Sequence, residues 1–238
     1  MTTFVVVPCH FVSGAAWSRV AAAVQARGHQ LLSPDPTGWG EQRALVAPEV
    51  GLNTHVAELA QRLISEDLRE VALVGHSYGG MVIAGAVAHV PERVRRLIFL
   101  DAPVPGNVDT LFDHVPDAII TWYREQAQAM GHGWLVPPPD LNAFGLTQGD
   151  RRWLEPMLAP IPLRTCEQPL DAPGEAMSHT HRAYVWCRQS PLFASVAARL
   201  RKAPAWSYRE IESGHLPMVT DPHAVADALI SLDGEILR

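Results

Sequence analysis

The sequence predicts an α/β domain in which a mostly parallel sheet is flanked by helices and interrupted once by an inserted helical cap. Three observations carry this prediction. Short β-branched runs alternate with Ala- and Leu-rich helical stretches through the first hundred residues. The alternation lapses between about 105 and 182, where proline and large aromatics concentrate and helical pieces are broken. It resumes at Ala183 and continues to the end. The core is therefore read as 1–104 and 183–238 and the cap as 105–182, one domain with an insertion.

Phe4-Val5-Val6-Val7, ended by Pro8, reads as a buried parallel strand. Gly14 to Arg27 follows as a helix, with Trp17, Val20, Ala21 and Val24 at helical spacing and Gly28 as its stop. His29–Ser33 is a second strand, closed by the turn Pro34-Asp35-Pro36-Thr37-Gly38. Asn53 is placed as the cap of a helix with Val56, Leu59, Ala60, Leu63 and Ile64 on its apolar face. Val71–Val74 is a third strand and Met81–Val90 an almost wholly apolar helix, as expected of one lying between a sheet and a cover. Arg95–Leu100 is a fourth strand. After the cap come a strand at Ala183–Trp186, a helix near Leu192–Leu200, a strand near Trp206–Arg209 and a helix at Pro222–Leu232. Strand, helix and strand joined by short connections imply right-handed crossovers and a parallel sheet.

Composition narrows the class of function. Of 238 residues, 47% are hydrophobic and 18% charged, which supplies a sizeable core and argues against disorder. The formal charge is −6, and of nineteen Lys and Arg side chains only Lys202 is a lysine. The densest basic stretch is Arg199-Leu200-Arg201-Lys202, so neither nucleic acid nor an anionic membrane is the expected partner. Cys9, Cys166 and Cys187 are too widely spaced for a disulfide scaffold or a zinc site, and a reducing, cytoplasmic setting fits them best. Met1-Thr2-Thr3 lacks a basic leader segment and no apolar run approaches ~18 residues. The expected partner is a small-molecule substrate, with a homodimer allowed.

The strongest chemical signal is Gly75-His76-Ser77-Tyr78-Gly79-Gly80. It lies where the strand Val71–Val74 turns into the helix Met81–Val90. In a nucleophile elbow a serine occupies a strained strand-to-helix turn, and small residues two before and two after let the backbone pass closely. The helix N-terminus favours negative charge developing beside the serine. A glycine-rich turn with a capping serine is the plainer alternative. A serine nucleophile needs a base. Of eleven histidines, His215 stands apart, because Glu212-Ser213-Gly214-His215-Leu216-Pro217 is a loop between the last strand and the last helix. Serine hydrolases of this architecture carry their histidine there. His76 reads as packing, and His179 with His181 lacks further ligands, so no metal site is predicted.

Three segments carry a family resemblance: Leu73-Val74-Gly75-His76-Ser77-Tyr78-Gly79-Gly80-Met81-Val82, Pro91-Glu92-Arg93-Val94-Arg95-Arg96-Leu97 and Leu100-Asp101-Ala102-Pro103-Val104-Pro105. Thr37-Gly38-Trp39-Gly40-Glu41 and Ser213-Gly214-His215-Leu216-Pro217-Met218 extend it. Together they resemble bacterial members of the α/β-hydrolase superfamily related to plant methylesterases and hydroxynitrile lyases, over roughly residues 4–105 and 182–232. The resemblance implies an α/β-hydrolase fold, no cofactor and acyl-enzyme chemistry on a small ester. Hydroxynitrile lyases of the group carry a lysine directly after the catalytic histidine. Leu216 stands there, which points to ester hydrolysis.

The resemblance also assigns the oxyanion hole and exposes two departures. By similarity the backbone N–H groups of His10 and Tyr78 hold the oxyanion, and one such donor is worth roughly 3 kcal/mol of barrier. Esterases of the family usually show His-Gly-x where this chain has Pro8-Cys9-His10, so the Cys9 side chain narrows the pocket. Cys9 reads as a small buried hydrophobe, not a nucleophile. The family's aspartate usually follows the strand that here reads Tyr184-Val185-Trp186-Cys187, but Arg188-Gln189-Ser190-Pro191 holds no carboxylate. Asp101, at the carboxyl end of Arg95–Leu100, is the candidate substitute, since catalytic groups of parallel sheets gather at that edge. Its alternative role is to cap the turn into Ala102-Pro103.

Substrate contacts are expected from Cys9, Trp122, Tyr123, Trp134 and Met218. Trp122, Tyr123, Trp134, Phe144 and Trp153 offer faces for an aromatic acyl group or form the cap's own core, and Met81 and Met218 equally suit packing. The first functional reading is a cofactor-free serine hydrolase cleaving a methyl ester or lactone of a small apolar metabolite. Ser77 is its nucleophile, His215 its base and Asp101 its orienting acid. A same-fold lyase, cyclase or C–C bond-cleaving enzyme using His215 as base is the second reading, and a ligand-binding pseudo-hydrolase the third.

Overall fold

The computed structural model describes residues 1–171 and 174–235. Its first half runs β1 (Thr3–Val7), α1 (Ser18–Gln25), β2 (Gln30–Leu32), α2 (Leu52–Ser65), β3 (Val71–His76), α3 (Gly79–His89) and β4 (Val94–Leu100). An intervening segment carries α4 (Asp117–Met130), β5 (Leu135–Val136), α5 (Gln148–Leu154), β6 (Ile161–Pro162), α6 (Arg164–Glu167) and α7 (Gly174–His179). The chain ends with β7 (His181–Cys187), α8 (Ala194–Leu200), β8 (Trp206–Ile211), α9 (Pro217–Thr220) and α10 (Pro222–Asp233).

Among the described residues, six strands form one sheet in the order β2-β1-β3-β4-β7-β8. Every neighbouring pair is parallel. Side chains alternate between its two faces. Val5, Val7, Leu73, Leu97, Phe99 and Tyr184 pack against α2, α3 and α8, while Phe4, Val6, Val74, Ile98 and Val185 pack against α1 and α10. Each fully buried side chain of this kind contributes roughly 1.5–3 kcal/mol. The all-apolar strands predicted near the centre are buried along their length: β3 is covered at every residue, and α3 is buried from Gly79 to Val87. The edge strand β2 is only three residues long, which limits pairing with other chains.

Several boundaries differ from the sequence reading, each for a local reason. Gly14–Trp17 is a 3-10 turn, capped by Ser13 Oγ accepting from the Ala15 N–H, and α1 begins only at Ser18. Asn53 does not cap α2; Gly51 holds that position. Asn53 lies inside the first turn, where its side-chain amide donates to Asp171 Oδ2 at 2.8 Å. Ile64 is 46% exposed, because one residue past Leu63 turns it about 100° off the buried stripe. The short ribbon of β5 antiparallel to β6 and the helix α9 were not anticipated; two-residue strands and four-residue helices are too short to show a period.

Two features aim the chain at its carboxyl edge. Gly75 lies against the Gly79–Gly80 backbone, and a Cβ on Gly79 would overlap the Val7 carbonyl oxygen. The turn after β3 is thus pressed directly onto β1, as the elbow pattern requires. The intervening segment is then strapped to the loop after β1: Ser13 N–H donates to Met157 O at 2.9 Å, Ala159 N–H to Phe11 O at 2.8 Å, and Val12 pairs antiparallel with Leu158. Arg19 of α1 clasps the same segment, bonding Asp150 at 2.8 Å and lying 3.9 Å over the Trp153 ring.

Gly79→Ala is expected to destabilise the fold by about 1–3 kcal/mol through overpacking against β1. Gly149→Ala, on exposed helix with its nearest non-neighbouring atom at 3.8 Å, should stabilise by about 0.5–1 kcal/mol. Urea unfolding midpoints compare the two, and an unshifted midpoint for Gly79→Ala would mean that the elbow can part from β1 without cost.

Candidate active site

Four loops at the carboxyl edge of the sheet converge. β1 leads to His10, β3 to Ser77, β4 to Asp101 and β8 to His215. Ser77 has φ 53° and Asp101 φ 40°, both left-handed and disfavoured for residues with a Cβ. Each is held there by one further sheet-like bond, Ser77 N–H to Leu100 O at 3.2 Å and Asp101 N–H to Val185 O at 2.8 Å. Strain at these two positions lifts both side chains out of their strands.

Ser77 and His215 line one cavity of about 430 Å³. Asp101 lies behind His215, wholly buried, with its Oδ2 accepting from His215 Nδ1–H at 2.6 Å. A carboxylate only accepts, so the proton sits on Nδ1 and the lone pair on Nε2 is left free. Asp101 Oδ1 has no partner among the described residues. His76 supports the same ring from another side. Its Nε2–H donates to the His215 carbonyl at 2.8 Å, and the two rings lie 5.0 Å apart. Burial, then the neighbouring His215, keeps His76 well below the usual histidine range, hence neutral.

The second half of the site is built on His10 and Tyr78. Neither of their backbone N–H groups donates to a backbone acceptor among the described residues, whereas the Ser77 N–H beside Tyr78 donates to Leu100 O. Their rings stack at 4.0 Å and 23°. Tyr78 O–H donates to His55 Nδ1 at 2.8 Å, and His55 Nε2–H donates to Thr37 O at 3.0 Å. Thr165 O–H donates to Pro162 O at 2.7 Å and accepts from His10 Nε2–H at 3.1 Å. His10 Nδ1 is therefore the acceptor for Tyr123 O–H at 3.3 Å. Burial lowers the proton affinity of both imidazoles and raises the Tyr78 and Tyr123 phenols, so every member is neutral.

The cavity wall is mainly apolar and aromatic, with Phe11, Trp122, Tyr123, Phe144 and Phe193 among its residues. Cys9 lines it too, and burial pushes its thiol up to about 12. A thiol of that acidity is protonated at neutral pH and is a poor nucleophile. Trp134 does not reach the cavity. Its carbonyl accepts from Leu163 N–H at 2.6 Å at the end of the ribbon, and the residue lines an outer groove with Pro48 and Arg164. Met218 is also absent from the wall, because α9 turns it into the core while Leu216 faces the cavity. Trp153 packs under Arg19. Among the described residues no group of three or more His, Cys, Asp or Glu side chains is placed to hold a metal ion.

Three contributors escaped the sequence reading. His55 sits beside Val56 on the apolar face of α2, and a polar residue on that stripe was the available signal. Thr165 and Phe193 gave none, since their partners are far away in the chain. The segment after β7 contains no acid near His215; Arg188 instead pairs with Glu210 and Glu212.

Known proteins resemble this chain over nearly its whole length. The sequence pattern described as the alpha/beta hydrolase family matches residues 4–228. A carbendazim hydrolyzing esterase from Nocardioides sp. (strain SG-4G) is 32% identical over 98% of this chain and 100% of its own length. Salicylic acid-binding protein 2 of Nicotiana tabacum is 28% identical over 53% of this chain and 46% of its own. Among solved structures, an extracellular alpha/beta-hydrolase from a Paenibacillus species superposes with a TM-score of 0.85 at 18% identity, covering 99% of this chain and 100% of its own. The chain belongs to the alpha/beta hydrolase family, and its reading as an ester-hydrolysing enzyme agrees with the esterase and hydrolase names that its relatives carry.

Proposed function

We propose that this chain is a cofactor-free serine hydrolase that cleaves a carboxylic ester of a small apolar or aromatic metabolite through an acyl-enzyme. The observation that carries the reading is the 2.6 Å bond from His215 Nδ1–H to buried Asp101 beside a serine on a left-handed elbow. It leaves the His215 Nε2 lone pair to take the Ser77 proton as Oγ attacks the ester carbonyl. Asp101 holds the tautomer and stabilises the imidazolium that forms. The amides of His10 and Tyr78, unpaired within the backbone, receive the oxyanion. The imidazolium then protonates the departing alkoxide. Water, deprotonated by His215, attacks the acyl carbonyl and releases the acid, regenerating Ser77. Each step uses only protein groups and water.

The cap read at 105–182 supplies Leu111, Ile119, Trp122, Tyr123 and Phe144 to the cavity, which favours a flat, uncharged acyl group. The relative named as a carbendazim hydrolyzing esterase supports ester cleavage, and a methyl ester or lactone is the reacting bond of this proposal. The three cysteines are buried free thiols, which supports a cytoplasmic setting, although the Paenibacillus neighbour is named extracellular. No helix among the described residues is long and apolar enough to cross a membrane. The lyase reading drew on a displaced acid and on Cys9. With Asp101 bonded to His215 and the Cys9 thiol protonated, neither feature favours it.

Ser77→Ala is expected to keep the fold, lose the fluorophosphonate adduct seen by intact mass, and reduce p-nitrophenyl acetate turnover by roughly 10³-fold or more. Esterase activity that survives this change would refute the covalent route. Asp101→Asn should be tolerated structurally, because asparagine adopts left-handed backbone readily. Its amide would donate to Nδ1 and impose the wrong tautomer, with an expected loss of about 10⁴-fold in kcat. A loss below tenfold would mean that Asp101 caps its turn and does not orient His215.

A further inference from the structure

The two amides assigned to the oxyanion sit on residues whose side chains are themselves tied down, and the ties run to different parts of the chain. Tyr78 is anchored from the core, through His55 to the Thr37 carbonyl. His10 is anchored from the segment between β4 and β7, through Thr165 of α6 and Tyr123 of α4. Between the anchors the two rings stack at 4.0 Å. The loop that carries His10 needs such support. Phe11, the next residue, has φ 69° without being glycine, and Cys9 replaces the glycine that the resemblance leads one to expect. A strained loop keeps one geometry only where its surroundings over-determine it.

We propose that the His10 side chain is a positioning residue through which Thr165 and Tyr123 set the direction of the oxyanion-binding amide. The proposal rests on the serine hydrolase reading above. His10 has one donor and one acceptor nitrogen, and the segment faces them with an acceptor, Thr165 Oγ1, whose own proton is committed to Pro162 O, and a donor, the Tyr123 hydroxyl at 3.3 Å, with the Cys166 Sγ a longer contact to the same Nδ1 at 4.0 Å. This match fixes the ring's rotation, and the ring fixes the peptide plane it hangs from. The oxyanion exists only in the transition state and the tetrahedral intermediate, so a tilted amide lowers kcat and leaves ground-state binding largely unchanged. Tyr123 also lines the cavity, but Thr165 does not, which makes Thr165 the cleaner probe.

The test compares wild type, Thr165→Val, Thr165→Ser and Tyr123→Phe by p-nitrophenyl acetate kinetics, fluorophosphonate labelling rate and unfolding midpoint. Thr165→Val keeps the volume and removes the acceptor. It is expected to lower kcat by about ten- to a hundredfold with KM within about twofold, and to slow labelling in parallel. Thr165→Ser restores the hydroxyl and should return kcat to within about twofold of wild type. Tyr123→Phe should lower kcat in the same direction, and it decides the matter alone if Thr165→Val does not fold. A folded Thr165→Val with wild-type kcat, a loss confined to KM, or no rescue by Thr165→Ser would overturn the positioning role while the hydrolase reading stands. A wild-type protein that neither turns over nor labels would overturn both.

Discussion

The left-handed turn at Ser77 is the constraint on which the rest of the architecture depends. A residue with a Cβ at φ 53° is unfavourable by roughly 1–3 kcal/mol, and the surrounding sequence is arranged to hold it there. Gly75 and Gly79 allow β3, the turn and β1 to approach within distances that side chains would forbid. Leu100 O takes the Ser77 N–H and Ser77 O takes the Gly80 N–H. The apolar helix α3, buried on all sides, clamps the turn from below. The serine stands half-buried at the sheet edge because everything beneath it is packed too tightly to relax.

A second strained residue, Asp101, sits one strand away and serves the histidine. Full burial of a carboxylate is costly unless it is partnered, and here the partner is His215 Nδ1–H at 2.6 Å. The same histidine is held through its backbone carbonyl by neutral His76. One imidazole is thus oriented by an acid at its side chain and by a second imidazole at its main chain. The two contacts come from the ends of adjacent strands, so the register of β3 against β4 positions both.

The segment between β4 and β7 closes the site from the other direction. It supplies most of the apolar wall, it pairs with the loop after β1 through residues 157–159, and it is clasped to α1 by Arg19. Its buried members Ala127, Val136, Ile161 and Cys166 join the same hydrophobic cluster as α2 and α3. The wall and the floor of the cavity therefore share one core.

The parallel strands, the elbow and the loop bearing His215 were legible in the amino-acid sequence because each is a local pattern. Buried parallel strands are short β-branched runs, the elbow is a glycine-spaced serine between a strand and a helix, and His215 is marked by chain order. The same locality explains the limits. Asp101 could be named from its place at a strand end, but only the parallel pairing of β4 with β7 and the approach of the loop after β8 bring it to His215. Trp134 and Trp122 are alike in composition and neighbourhood; the turn after α4 sends one outward and leaves the other on the cavity wall. Met218 follows the signature histidine closely, yet the unforeseen α9 buries it in the core, while Leu216, also buried, lines the cavity. His55 and Thr165, more than a hundred residues apart, became partners of adjacent stacked rings through tertiary packing alone. Sequence thus determined which residue types stand at the strand ends, since backbone propensity and spacing are local. The fold decided which of them meet, because those contacts join segments that only a closed core brings together.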